Sequence, residues 1–258
     1  MIKNSLVTEL KDAYNKSREI FTYARNKNNN LSDINSLNQN QHIAHGLAWY
    51  ATYVESLLQL SKWIEYLEAH NRLTDLEEGI AGVGAGEYCL QIMHGIPMSQ
   101  NETIRPEELG IPNEKIEDFK KLTKSLTQRS TSFEKNRVMS ILQQSIESGI
   151  QPDDGLDETY QEIKNQFKRF VDDEITPHAH EWHMNDDYIP LEIIKKMSEL
   201  GVFGLTIPEE YGGLGLEKKA MCIVSEELSR GWVGVGSLGT RSEIAAELIL
   251  IGGTEEQK

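Results

Sequence analysis

Cysteine is almost missing from this chain. Cys89 and Cys222 are its two thiols, far apart and each in an apolar helical setting. That excludes a disulfide framework and fits buried thiols in a reducing compartment. Basic charge is also scarce: 26 Lys and Arg face 41 Asp and Glu, for a formal net charge of −15. With no Lys/Arg cluster, nonspecific binding to nucleic acid is disfavoured, because neutralising phosphates needs a concentrated basic surface. An anionic ligand would need local cations. Long apolar runs are absent too, none approaching the ~20 residues of a membrane span. The start, Met1-Ile-Lys-Asn-Ser-Leu-Val-Thr-Glu9, lacks the basic opening and apolar core of a signal peptide, so the expected location is the cytoplasm. No convincing strand alternation appears anywhere, which points to an all-α fold.

What is present is helical periodicity. The 258 residues suffice for one large domain or two modest ones, and two fit better. Leu6, Leu10, Ala13, Ser17, Phe21 and Ala24 mark a first amphipathic helix, which the polar stretch Asn26 to Asn40 ends. Ile43, Leu47, Tyr50, Val54, Leu57, Leu58, Ile64 and Leu67 form the longest apolar stripe and predict the central helix of the first domain. A third helix is predicted from Leu76 to Met93. A fourth is predicted from about Glu114 toward Ser148, with a break near Ser130-Thr-Ser132. The turn formers of Gly149-Ile-Gln-Pro-Asp-Asp-Gly155 mark the boundary, giving domains at 1–149 and 156–258.

In the second domain, Tyr160, Ile163, Phe167, Phe170 and Val171 share one helix face, which Pro177 should end or kink. Pro190 can open a helix carrying Leu191, Ile194, Met197 and Leu200, with Gly201 terminating it. Ala220, Ile223, Val224, Glu227 and Leu228 predict another helix stopped by Gly231. A last one is predicted from Glu243 to Ile251, stopped by Gly252-Gly253. Thr254 and Gln257 then have the spacing of a capping box, with Glu255 and Glu256 suited to a helix N-terminus. Less than about one turn follows that cap, and helix nucleation is costly, so truncation of the gene or of the expressed piece is expected.

Two motifs have bland readings that compete with functional ones. Gly82-Val-Gly-Ala-Gly86 lacks the GxGxxG spacing, a preceding strand and a βαβ context, so it is read as close helix packing and not as a nucleotide loop. His178, His180, Glu181 and His183 alternate on a helix next to Pro177, and therefore point to different sides. A structural role stands ahead of metal ligation, and no metal site is expected. Trp182 is read as a core or interdomain anchor.

The segment Gly204-Leu-Thr-Ile-Pro-Glu-Glu-Tyr-Gly-Gly-Leu-Gly215 holds dense turn chemistry between two helical patterns, which reads as an ordered loop. With Ser225-Glu-Glu-Leu-Ser-Arg-Gly231, it makes the stretch from about Tyr160 to Lys258 resemble the N-terminal helical domain of the acyl-CoA dehydrogenase family. Within that family, His178-Ala-His-Glu-Trp-His183 and Gly236-Ser-Leu-Gly-Thr-Arg-Ser-Glu-Ile-Ala-Ala246 look most like the branch acting on methylsuccinyl-CoA. In the first half, His45-Gly-Leu-Ala-Trp49, Gly86-Glu-Tyr88 and Gly95-Ile-Pro-Met-Ser-Gln100 resemble the N-terminal extension of the same branch.

The resemblance implies a whole protein with a middle β-domain and a C-terminal helical bundle after the N-terminal helices. FAD would lie between those two later parts of a homotetramer, and electrons would pass to an electron-transfer flavoprotein. The substrate would be an acyl-CoA, with (2S)-methylsuccinyl-CoA oxidised to mesaconyl-CoA. The family's glutamate base belongs to the C-terminal bundle, so no residue here is nominated as catalytic. Residues 1–258 alone are expected neither to retain FAD nor to turn over. Glu226 to Gly231 and Gly252 to Gln257 are implied to be scaffold. Other readings are another short branched acyl-CoA as substrate, or a non-catalytic helical interaction protein.

Arg241 is the candidate binding residue. It lies beside Thr240 and Ser242 after the small-residue run Gly234 to Gly239, where an exposed backbone and a guanidinium could together hold a carboxylate. The competing reading is an ion pair with Glu243, Glu226 or Glu227. By resemblance, Val235 to Glu243 borders the acyl pocket, and methylsuccinyl-CoA carries a free carboxylate. Thr240, Arg241 and Ser242 are therefore the expected substrate contacts.

Overall fold

The computed structural model describes residues 5–258 and divides into two compact units, Met1–Gly155 and Leu156–Lys258. Residues 1–4 of the stretch that was read for a signal peptide lie outside the described residues. Among the described residues the fold is all-α apart from one pair of two-residue strands. Among the described residues, no helix is long and apolar enough to cross a membrane.

In the first unit, α1 (Leu6–Lys27) packs along α3 (Gln41–Ala69). Ser5 caps α1 by accepting from the Thr8 amide, and the buried face of the helix is the stripe Leu6, Leu10, Ala13, Ser17, Ile20 and Ala24. The polar stretch between them is not simply loop: it holds a 3-10 turn, Asn29–Ser32, and a short helix, α2 (Ile34–Gln39), capped by Asp33. From α3, Tyr50, Val54, Leu57 and Ile64 are buried in one core with α1 and with α4 (Asp75–His94), and Leu67 is buried further along the helix.

The predicted fourth helix is three: α5 (Asn113–Leu122), α6 (Lys124–Gln128) and α7 (Ser132–Glu147). The Ser130–Ser132 break is present, with Thr131 as the N-cap of α7. A second break falls at Thr123, whose hydroxyl donates back to the Phe119 carbonyl. The close-packing reading of the α4 glycines holds. A Cβ on Gly86 would lie 2.5 Å from the Leu126 carbonyl oxygen, and one on Gly82 would lie 2.8 Å from Cδ of Arg129.

After α4, β1 (Ile96–Pro97) pairs antiparallel with β2 (Thr103–Ile104), in a register that sets Ile96 opposite Ile104. This pairing departs from a strictly helical expectation. It is short enough to leave no alternation in the sequence, and its buried isoleucines join the helical core. Ile104 also packs onto Gly46 of α3, and Tyr53 of α3 meets Tyr88 of α4 with ring centroids 4.8 Å apart. The three motifs read in the first half thus converge in one region of the unit.

The turn-rich stretch 149–155 is fastened to the first unit. The Trp63 indole donates to the Asp153 carbonyl at 3.0 Å, and the Asp153 amide donates to Glu77 at 2.9 Å. Glu77 also accepts from the Thr74 amide, completing the capping box that starts α4.

In the second unit, α8 (Glu158–Glu174) ends just before Pro177, which sits in the first turn of α9 (Thr176–Met184). Pro190 precedes α10 (Leu191–Glu199) as its N-cap residue and lies outside the helical turns. Gly201 takes the left-handed conformation that ends the helix, at φ 79°. The polypeptide then forms the loop through Gly215 and enters α11 (Lys218–Gly231), whose buried residues are the five that marked it in the sequence. Its Glu227 is not stranded: Arg230 donates to it at 2.8 Å and also reaches Asp172 of α8 at 2.8 Å.

Two expectations for this unit are corrected. The last helix does not begin near Glu243 but at Val233, so the small-residue run is helical within α12 (Val233–Gly252). Close approach explains it, since a Cβ on Gly236 would lie 2.1 Å from Oγ of Ser229. The second correction concerns Cys222, which is exposed, whereas Cys89 is buried. Cys222 sits on α11 beside a buried face, not within it. Beyond α12, the reciprocal bonds of the Thr254–Gln257 capping box are formed, at 2.9 and 3.3 Å.

Candidate functional site

The loop between α10 and α11 closes on itself. The Leu214 amide donates to the Gly204 carbonyl at 2.8 Å, Gly215 to Ile207 at 2.9 Å and Leu216 to Leu205 at 2.8 Å. Gly213 presses on the Ile207 backbone so closely that a Cβ there would lie 2.1 Å from the carbonyl oxygen. The loop is therefore an ordered wall. Between it and α12 lies a cavity of about 200 Å³, lined by Thr206, Ile207 and Tyr211 of the loop, by Ala246, Ile249 and Leu250 of the helix, and by Gln257 and Lys258 beyond it.

One carboxylate ties the two walls. Glu243 is 3% exposed, and both of its oxygens accept from Thr206: Oε1 from the amide at 3.2 Å, Oε2 from the hydroxyl. At the rim, Lys218 pairs with Glu247 at 2.5 Å and reaches the Thr206 hydroxyl at 3.3 Å.

Arg241 lies on the opposite side of α12 and is exposed. It has no ion-pair partner among the described residues, because Glu227 is held by Arg230 and Glu243 by Thr206. Helix geometry gives the reason. Residues three and four away face a helical side chain, and here they are Ser237, Leu238, Ile244 and Ala245, none of them acidic. Exposed Val233, Ile244, Leu248 and Ile251 lie along the same side. Thr240 and Ser242 flank Arg241 half-buried, and the Thr240 hydroxyl donates to the Ser237 carbonyl at 3.0 Å. The backbone here is helical, so the exposed-backbone part of the carboxylate site expected from the sequence is withdrawn. The guanidinium remains.

The histidines read as structural sit on α9, where the His178 ring stacks on Trp182 with centroids 5.4 Å apart, and Trp182 in turn meets Trp232 at 5.7 Å. Sequence reasoning missed the Thr206–Glu243 tie. Its one signal was a glutamate at a core-facing position of the last helix.

Comparison with known proteins places this geometry in a family. Residues 157–258 match the family described as "Acyl-CoA dehydrogenase, N-terminal domain". The second unit therefore carries an acyl-CoA dehydrogenase N-terminal domain. Over 227 residues, 86% of its length, it is 48% identical to a (2S)-methylsuccinyl-CoA dehydrogenase of Cereibacter sphaeroides, of which it spans 40%. It is also 36% identical over 105 residues to a mitochondrial isovaleryl-CoA dehydrogenase of Solanum tuberosum, covering 40% of this chain and 25% of that one. A glutaryl-CoA dehydrogenase of Desulfococcus multivorans is 40% identical over 82 residues, 31% of this chain and 21% of its own length. The chain thus spans well under half the length of each of these relatives.

Proposed function

We propose that this chain is the N-terminal part of a flavin-dependent acyl-CoA dehydrogenase that oxidises (2S)-methylsuccinyl-CoA to mesaconyl-CoA, and that Arg241 reads the free carboxylate of that substrate. The observation carrying the reading is Arg241 itself: an exposed guanidinium without a carboxylate partner, set among apolar side chains of α12. A short aliphatic group ending in a carboxylate matches that combination, since apolar contacts favour its carbons and a charge-assisted hydrogen bond its oxygens. Identity over most of the chain with a relative named for the same substrate supports the choice. Thr240 and Ser242 are assigned as neighbouring contacts.

FAD, which the family implies, would accept the hydride when bound. No residue described here is assigned to hold it. Gly82 and Gly86 are closed by Arg129 and Leu126, and Gly213 by Ile207, so these three positions offer no open backbone to a phosphate. No step is therefore routed through the flavin, and no catalytic base is assigned in this chain. Its buried glutamates Glu77, Glu227 and Glu243 are each engaged by neighbours. In the whole protein we place FAD beyond residue 258, with an electron-transfer flavoprotein as acceptor and a homo-oligomer as the assembly.

The test is Arg241→Met in the full-length protein, comparing kcat/KM for methylsuccinyl-CoA with that for an uncharged branched acyl-CoA. Hydrogen bonds to charged groups contribute about 1.5–3 kcal/mol, so selectivity should fall about tenfold or more. An equal loss on both substrates would show Arg241 to be structural.

A further inference from the structure

The cavity is bounded by α12, by the loop and, beyond α12, by Gln257 and Lys258, and its loop wall must be held to keep a fixed position against the helix. The loop's internal hydrogen bonds give it a shape but do not attach it to α12. Glu243 and Thr206 do. The neighbouring pair Lys218–Glu247 joins the start of α11 to α12 through side chains that are 55% and 40% exposed, where ion pairs are weak. Glu243 is different, being 3% exposed and engaged by both the amide and the hydroxyl of Thr206, the first residue of the loop wall. Losing Thr206 would leave the buried Glu243 carboxylate without these donors, so this tie is the one the fold has reason to keep.

We propose that Glu243 is a positioning residue: by holding Thr206 it fixes the loop wall against α12 and sets the width of the cavity, and hence the bulk of the group the cavity admits. Glu243 lies one turn before Ala246 and Glu247 on the same helix, so a shift of Thr206 moves the loop wall directly across from the cavity's helical side. The inference does not depend on which acyl group the enzyme takes. It concerns the opposite side of α12 from Arg241.

The experiment is hydrogen exchange on the 258-residue chain, following peptides that cover 204–216, with peptides of α8 and α10 as internal references. In Glu243→Ala the bonded amides of Leu214, Gly215 and Leu216 should exchange about tenfold faster or more, with the reference helices within about twofold of wild type. Glu243→Gln keeps an acceptor for the Thr206 amide and should restore protection. Thr206→Val removes one of the two bonds and should give an intermediate increase, readable even if the alanine variant does not fold. Unchanged loop exchange in the alanine or valine variant would overturn the proposal. So would acceleration shared by α8 and α10, or failure of glutamine to restore protection. Arg241→Met should leave loop exchange unchanged, and acceleration there would also overturn the assignment of the loop's position to Glu243. The latch can therefore fail without the substrate reading failing, and the reverse.

Discussion

Arg72 grips Asp153 across 81 residues of sequence, Nε donating to one carboxylate oxygen and Nη2 to the other, each at 2.6 Å. The paired geometry is the strong form of a charge-assisted bond. Asp153 in turn accepts from the Gly155 amide at 2.9 Å, so a single carboxylate organises the end of the first unit.

Removing either partner should destabilise that unit by different amounts. The side chains are 36% and 25% exposed, so solvent screening keeps the pair's worth modest. Arg72→Ala should cost about 1 kcal/mol, and Asp153→Ala, which also frees the Gly155 amide, roughly 2 kcal/mol. Urea denaturation of the chain checks both, and equal losses would show that the Gly155 bond contributes nothing.

The same cluster should make stability fall in acid. Burial pushes the Asp153 carboxyl up, but Arg72 and the Gly155 amide outweigh it and hold the group below its ordinary value. For Glu77, burial is likewise outweighed by the Thr74 hydroxyl and the Asp153 amide. Groups with depressed folded pKa values contribute stability that is fully present above the unfolded values near pH 4 and lost as pH falls through the folded ones. Denaturation midpoints should hold between pH 7 and 5 and drop below about pH 4. Asp153→Asn should be less stable at neutral pH, with a shallower drop.

Two glycines of α4 should respond oppositely to alanine. At Gly84 the nearest atom to an added Cβ would be Leu60 Cδ1 at 3.9 Å, an ordinary contact, so the helix should gain up to about 1 kcal/mol. At Gly86 the Cβ would meet the Leu126 carbonyl at 2.5 Å, and backbone cannot step aside cheaply. A loss of about 1–3 kcal/mol is expected. Thermal melting of the two variants measures the contrast.

The thiols should also separate. Cys222 is exposed, while burial pushes the Cys89 thiol up to about 12 against a smaller opposing effect of Thr123. Iodoacetamide should modify Cys222 in the native chain and reach Cys89 only after denaturation. Equal native rates at both would contradict the burial of Cys89.

Much of the fold was legible because helical burial repeats every 3.6 residues: Ala220, Ile223, Val224, Glu227 and Leu228 marked α11 by spacing alone. Glycine misled where packing overrode propensity. Gly234, Gly236 and Gly239 have a loop's composition, yet they lie in α12 and are small because neighbouring backbone and side chains come close. Arg241 was legible as a candidate cation, but its freedom from Glu243 required knowing that the helix runs through both residues. The Thr206–Glu243 tie spans 37 residues with no local pattern to announce it.

Those α12 glycines carry a consequence for the order of events in folding. A helix whose first two turns contain three glycines is poor in isolation, each costing about 1 kcal/mol relative to alanine. Its early turns gain their contacts where Gly236 meets Ser229 of α11 and Gly239 meets Val202. Helicity there should therefore arise together with docking and not before it. The turns that lead into Arg241 would then become helical only as α12 docks.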